Sequence, residues 1–296
     1  MIKTVDLVKS FDSFNALNGV NINVKKGCVY GLVGPNGAGK TTLIKTLMSI
    51  YKKTKGQIFI DGREDISSDD LKQRIIYISD DLYFFPSYSI KDCKKLYKDI
   101  YKTFDDETFE RLKDIFKIDV TKKVRKLSKG MQKQVAMWLG LCVNPDLMIL
   151  DEPVDGLDPV ARRCIMGLVL EQVEKGMTVL ISSHNLRELE DVCDYVGIMH
   201  KGKIVIEKSL DDVKGNIHKV QVAFSDDNVL YEKELDILKE EKFGSVKMLI
   251  VRGDAEKIKK TLSALNPLIM DILPLSLEEV FIYQLGGMGY EFENIL

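Results

Sequence analysis

The spacing of apolar positions changes character along the chain, and each change marks an element. Short β-branched runs open it at Ile2–Val8, Val20–Val24 and Cys28–Val33, and each predicts a strand. After a glycine-rich stretch, Leu43, Ile44, Leu47 and Met48 share one helical face. Gln57–Asp61, closed by Gly62, and Ile75–Ile78 read as further strands. From about Ser89 to Leu141 the period turns helical, with Cys93, Leu96 and Ile100 on one face, then Phe109, Leu112, Ile115 and Phe116. Strands return at Leu147–Leu150, Val179–Ser182, Val196–Met199 and Lys203–Ile206, with helices between. The pattern predicts an α/β fold, a mixed sheet carrying a helical subdomain at about 86–145. It breaks at Gly215-Asn216-Ile217-His218. Strands at Lys219–Phe224 and Ser245–Val251, a helix over Asp254–Leu265 and a last helix from Ser276 then predict a small α+β accessory domain over 215–296, leaving 1–214 as the main domain.

The glycine-rich stretch is Gly34-Pro35-Asn36-Gly37-Ala38-Gly39-Lys40-Thr41-Thr42, set between the apolar run Val29–Val33 and the helical pattern. In that context it reads as a phosphate-binding loop. Glycines let backbone N–H groups close around phosphate oxygens, and the helix N-terminus adds partial positive charge. Lys40 is then placed to reach the outer phosphates, and the Thr41 hydroxyl to bind Mg²⁺. A second run, Leu147-Met148-Ile149-Leu150-Asp151-Glu152-Pro153, is a buried strand ending in two acids. Open α/β sheets bind ligands at that end of their strands. Asp151 suits a Mg²⁺-bound water, because Mg²⁺ keeps most of its hydration shell. Glu152 is left to orient or deprotonate the attacking water, a role worth ~10²–10⁴-fold.

Composition narrows the class further. The 296 residues, 45% hydrophobic and 30% charged, describe an ordinary globular chain long enough for about two domains. A net charge of −2 gives no electrostatic reason to expect nucleic acid as a partner. Apolar runs fall short of the ~18 residues of a membrane span. Cysteines 28, 93, 142, 164 and 193 are scattered without metal-like spacing, which fits a reducing cytoplasm.

Two further segments sharpen the reading: Leu127-Ser128-Lys129-Gly130-Met131-Gln132 before a helix, and Ile181-Ser182-Ser183-His184 after a strand. With the phosphate loop and the acid pair, in this order, residues 2–214 closely resemble the ATPase subunit of ATP-binding cassette (ABC) transporters. Gly34–Thr42 is similar to that family's Walker A loop, Leu127–Gln132 to its LSGGQ signature, and Leu147–Glu152 to its Walker B strand. Asp155-Gly156-Leu157-Asp158 is similar to the D-loop and His184 to the switch histidine. The resemblance implies a P-loop core and two ATPase subunits packed head to tail around two Mg-ATP. Ser128 and the Gly130 amide then complete the γ-phosphate site of the opposite protomer, Asp158 faces that protomer, and His184 contacts the γ-phosphate. Phe11 stands where the family stacks an aromatic residue on adenine. Trp138 reads as packing.

The chain departs from the family where a glutamine is expected after Ile75–Ile78: Asp80 occupies that place, and is expected to retain sensing of the metal. Lys129 and Met131 replace two signature residues, while Ser128 and Gly130 remain. The aromatic run Leu82-Tyr83-Phe84-Phe85-Pro86-Ser87-Tyr88 lies where the family receives a helix of its membrane subunit. The segment Leu273–Phe281 resembles the tail of bacterial ATPases served by a separate permease, exporters among them. The resemblance therefore implies a cytoplasmic ATPase, peripheral on the inner face of the cell membrane through that permease, as a homodimer or with a related subunit. A soluble non-transport ABC ATPase, in iron–sulfur assembly or regulation, is the rival reading.

Overall fold

The computed structural model describes all residues except 65–67, 211, 213–216, 226–233, 274, 277 and 281–296. The expected junction at Gly215-Asn216 and much of the expected last helix and tail lie outside the described residues. The chain divides into two compact units: Met1–Asn185 with Val192–Glu207, and Leu186–Asp191 with Lys208–Leu296.

In the first unit, β1 (Ile2–Phe11), β2 (Phe14–Val20), β3 (Asn23–Val24) and, across the phosphate loop and α1 (Lys40–Leu47), β5 (Lys55–Ile60) form an antiparallel sheet around β1. The strand β2 is not apparent in the sequence, because Asn18-Gly19 inside it reads as a turn. Gly19, at φ 75°, instead absorbs a bulge: Leu7 pairs with Val20 and Val8 with Asn18.

A second sheet carries the site. It contains β4 (Val29–Val33), β6 (Ile75–Ile78), β7 (Leu147–Asp151), β8 (Thr178–Ser183), β9 (Tyr195–His200) and β10 (Lys203–Ser209), in the order β10-β9-β4-β8-β7-β6. The strands from β9 to β6 run parallel. Every residue of β4, β7 and β8 is buried, as expected of strands covered on both faces. Parallel pairing also puts their C-terminal ends together, so the residues that follow β4, β7 and β8 are brought to one edge.

A short α2 (Asp69–Lys72) precedes β6, and the helical insertion follows it: α3 (Ile90–Ile100), α4 (Asp106–Phe116) and α5 (Lys129–Leu141). Ser89 and Asp92 cap the start of α3 reciprocally, and Asp105 caps α4. Trp138 is fully buried between these helices, stacked on Phe109 at 4.6 Å and Phe116 at 5.9 Å. Its indole N–H donates to the Phe109 carbonyl at 3.0 Å, so it is a packing residue. After β7, α6 (Pro159–Glu174) starts with Pro159 behind the cap Asp158.

The second unit holds the sheet β12-β13-β11-β14, from β11 (Ile217–Ala223), β12 (Asp236–Phe243), β13 (Val246–Arg252) and β14 (Ile269–Leu273), with α7 (Ala255–Ser263). Val220, Val222, Leu249 and Val251 pack with Ile258 and Leu262 of α7. The pattern of apolar residues misses β12 because this edge strand carries Lys239, Glu240, Glu241 and Lys242 in succession.

Candidate functional site

The loop between β4 and α1 is held by contacts that only glycine permits. Gly39 sits at φ 110°, and a Cβ there would stand 2.7 Å from the Ala16 carbonyl oxygen and 2.8 Å from Met199 Cε. A Cβ on Gly34 would meet the Met199 carbonyl oxygen at 2.2 Å. Gly37, at φ 83°, has nothing within 4 Å of that position. The loop therefore leans on β2 and β9 on one side, with Asn36 and Gly37 exposed on the other. The Ala38 N–H donates to the Pro35 carbonyl at 3.1 Å and closes its turn.

Lys40, the first residue of α1, is buried. Its ammonium donates to the Gly34 carbonyl at 2.5 Å and lies 3.3 Å from Glu152 Oε1. The other oxygen, Oε2, lies 3.0 Å from His184 Nδ1 and accepts the His184 backbone N–H at 3.3 Å. One carboxylate thus bridges Lys40 and His184. An ionised glutamate can only accept, which puts the imidazole proton on Nδ1. Glu152 itself is left-handed, at φ 47°, a conformation that costs a non-glycine residue ~1–3 kcal/mol and needs outside support.

Ser182 gives part of that support. It pairs with Asp151 across β7 and β8, fully buried. Its hydroxyl donates to Asp151 Oδ1 at 2.6 Å and accepts the Glu152 N–H at 3.1 Å. A single serine therefore orients both acids. Tyr77 lies nearby: burial, then the Asp151 charge, holds its phenol well above the usual value, so it stays protonated. The Tyr77 hydroxyl is buried without a partner among the described residues.

The structure brings Lys40, Asp151, Glu152 and His184 to one sheet edge. Thr41 and Thr42 follow Lys40 in α1, with Thr41 exposed. Ser128 and Gly130 belong to the tip of α5: Ser128 is exposed and its hydroxyl accepts the Met131 N–H at 3.2 Å. A Cβ on Gly130 would lie 3.3 Å from Leu157 Cδ2, so the signature turn packs on the loop after β7. Asp158 Oδ1 accepts the Val160 and Ala161 N–H groups, each at 3.0 Å. Phe11 is 40% exposed; Tyr51 meets its ring edge-on at 5.3 Å, and Lys9 Nζ lies 4.4 Å from its centroid. Asp80 Oδ1 accepts from Lys133 Nζ at 2.9 Å, a contact the sequence did not suggest. Ser182 and Lys133 were both missed. Only the register of β7 against β8 singles out the serine, whereas a lysine amid Val135, Ala136, Met137 and Trp138 could have been noticed as a buried charge.

The site's chemistry is that of phosphate. An exposed glycine loop backed by protein fits a phosphate chain, and a hydroxyl with a carboxylate fits a hard cation that retains its waters. Among the described residues no three acids, histidines or cysteines converge as a cage for a bare ion. These are the working parts of a P-loop nucleoside triphosphatase.

The comparisons with known proteins narrow this class. A family model described as ABC transporter matches residues 17–155. The chain is 34% identical to the ABC transporter ATP-binding protein YtrB of Bacillus subtilis, across 97% of this chain and 99% of the relative. It is 33% identical to the bacitracin transport ATP-binding protein BcrA of Bacillus licheniformis, across 97% and 98%. A solved ATP-binding subunit of an ABC transporter superposes with a TM-score of 0.67 at 28% identity, covering 72% of this chain and 92% of that one. The dimeric cassette MJ0796, bound to ADP and Pi, shares the fold with a TM-score of 0.64 at 23% identity, covering 71% and 99%. The chain belongs to the ABC transporter family and is an ATPase subunit of such a transporter.

Proposed function

We propose that the chain hydrolyses Mg-ATP at a site shared by two head-to-tail subunits and drives a separate membrane permease that exports its substrate. The bridging of Lys40 and His184 by Glu152 carries the reading, because it gathers a phosphate cation, a water-orienting carboxylate and a phosphate-sensing imidazole at one point. With ATP in the loop, Lys40 exchanges Glu152 for the outer phosphates, freeing that carboxylate to accept a proton from water. His184 remains tied to Glu152 through Nδ1, which leaves Nε2 as the ring nitrogen to face the γ-phosphate.

Thr41 and Asp151 are the residues that would hold Mg²⁺, which, when bound, neutralises charge on the phosphates. Ser182 keeps Asp151 turned for that task. Asp80, whose Oδ1 takes the Lys133 ammonium at 2.9 Å, is left out of the Mg²⁺-holding set in this reading. Phe11, 40% exposed beside Tyr51 and Lys9, offers its ring for stacking on adenine. Ser128 and the Gly130 amide, at the exposed tip of α5, suit the γ-phosphate of an opposing subunit. Asp158, in the loop that packs under Gly130, would face the same subunit.

Among the described residues no helix is long and apolar enough to cross a membrane. The likeness to the ATP-binding protein YtrB over 99% of that relative supports a permease carried on a second polypeptide. Its docking place is the aromatic run after β6. Tyr83 and Phe85 are exposed there, Phe85 packs on Tyr88 at 4.8 Å, and a cleft of about 480 Å³ lined by Tyr88, Asp92, Lys95 and Asp99 adjoins them. Transport of a compound of the bacitracin kind is favoured by the likeness, over 97% of this chain, to a bacitracin transport ATP-binding protein. In this reading the segment expected over 1–214 supplies the ATPase domain and 215–296 the accessory domain, with Leu186–Asp191 and the residues from Lys208 grouping with the second unit rather than the first. Two measurements test the reading. Lys40→Ala should abolish ATP hydrolysis, and the chain solubilised from its native membranes in mild detergent should bring a polytopic protein with it. Undiminished turnover, or soluble partners alone, would overturn the assignment.

A further inference from the structure

Lys133 is a buried ammonium that the chemistry above does not employ. Its Nζ donates to the Glu152 carbonyl at 2.8 Å, the Asp155 carbonyl at 2.9 Å and Asp80 Oδ1 at 2.9 Å. An ammonium has three protons, so each has its acceptor. Burying such a charge is costly unless it is paired and fully bonded. The carboxylate that balances it, Asp80, is 53% exposed and lies in the loop after β6. The cation thus joins three segments: the helix that begins with Ser128, the turn that carries Glu152, and the loop leading to the exposed aromatic residues.

The Glu152 backbone needs such a hold. Its left-handed φ of 47° is strained, and Ser182 fixes only the N–H side of the residue. Lys133 fixes the carbonyl side. Released there, the residue can turn and carry its carboxylate away from His184, and displacement of a reacting group by ~1 Å can cost ~10²-fold. A glutamine at position 80 could not balance the buried charge, whereas a carboxylate can, so Asp80 and Lys133 form a matched pair.

We propose that Lys133 is a positioning residue for ATP hydrolysis, pinning the Glu152 carbonyl, and that Asp80 sets where its ammonium stands. This rests on the reading of Glu152 as the group that orients the attacking water. Movement of the loop after β6 then reaches the carboxylate through one side chain.

The test is steady-state Mg-ATP hydrolysis by the full chain. Lys133→Met should lower kcat by ~10-fold or more with KM within ~2-fold, the pattern of a lost transition-state contact. Asp80→Asn should lower kcat by ~3-fold with its Mg²⁺ requirement unchanged, and the double variant should match Lys133→Met, because one residue acts through the other. Normal kcat in Lys133→Met, additive losses, or a raised Mg²⁺ requirement in Asp80→Asn would overturn the proposal. If Lys133→Met does not fold, Asp80→Asn decides, since its half-exposed side chain is not needed for packing: a fall in kcat alone supports the pair, and normal kcat refutes it. Should Glu152→Gln turn over normally, the reading of Glu152 fails first, which separates the two failures.

Discussion

Replacing Ser182 by alanine isolates the device that orients both acids. The hydroxyl is fully buried and makes two bonds, one to Asp151 Oδ1 at 2.6 Å and one from the Glu152 N–H at 3.1 Å. The first is charge-assisted, worth ~1.5–3 kcal/mol, and loss of the second strands a part-buried N–H at ~1–3 kcal/mol. The two share one atom, so their sum of ~2.5–6 kcal/mol is an upper bound on the total effect. Because both bonds are internal to the fold, part of the loss falls on folding: ~2 kcal/mol lowers Tm by ~4–8 °C in a unit of this size. The remainder falls on catalysis through misorientation of Asp151 and Glu152, and ~1.4–2.7 kcal/mol there reduces kcat ~10–100-fold. Coupled ATPase kinetics with a thermal melt reads both parts. A folded Ser182→Ala with kcat within ~2-fold of the parent would show that the serine orients neither acid, and the reasoning from its two bonds would be wrong.

Gly39→Ala should abolish ATP binding, because its Cβ meets the Ala16 carbonyl and Met199 Cε under 3 Å at a φ of 110°; calorimetric titration with ATP checks this, and ordinary affinity refutes it. The helical insertion is tied to α6 by Glu171, whose carboxylate accepts from Arg111 at 2.9 and 3.0 Å and from Lys175 at 2.8 Å. The Arg111 guanidinium first, then Lys175, holds that carboxyl down at about 2. A lowered pKa means that the contribution is complete above the unfolded value of 4.5 and fades as pH falls toward about 2. Glu171→Gln should therefore melt below the parent at neutral pH, with the gap narrowing on acidification below 4.5; a gap independent of pH would refute the ion-pair origin.

Much of the site was legible because phosphate binding demands residue types at fixed spacing. Gly34, Gly39 and Lys40 follow from the loop alone, and Asp151 with Glu152 from an apolar strand ending in acids. What escaped depends on register and on reach across the fold. Ser182 matters because it stands beside Asp151 in a parallel pair, which neither strand announces. Lys133 matters because α5 lays it under the turn at Glu152. In the fold, β2 was hidden by the Asn18-Gly19 bulge and β12 by its run of charges, each a local signal that tertiary pairing overrode.

The shared active site is tested most directly by sedimentation of Glu152→Gln with and without Mg-ATP. This variant keeps the loop, Lys40 and Ser128 but should hydrolyse ~10²–10⁴-fold more slowly, so bound ATP persists. The account predicts a dimer holding two ATP that falls to monomer when nucleotide is removed or when Ser128→Arg is added. A monomer saturated with ATP would contradict it.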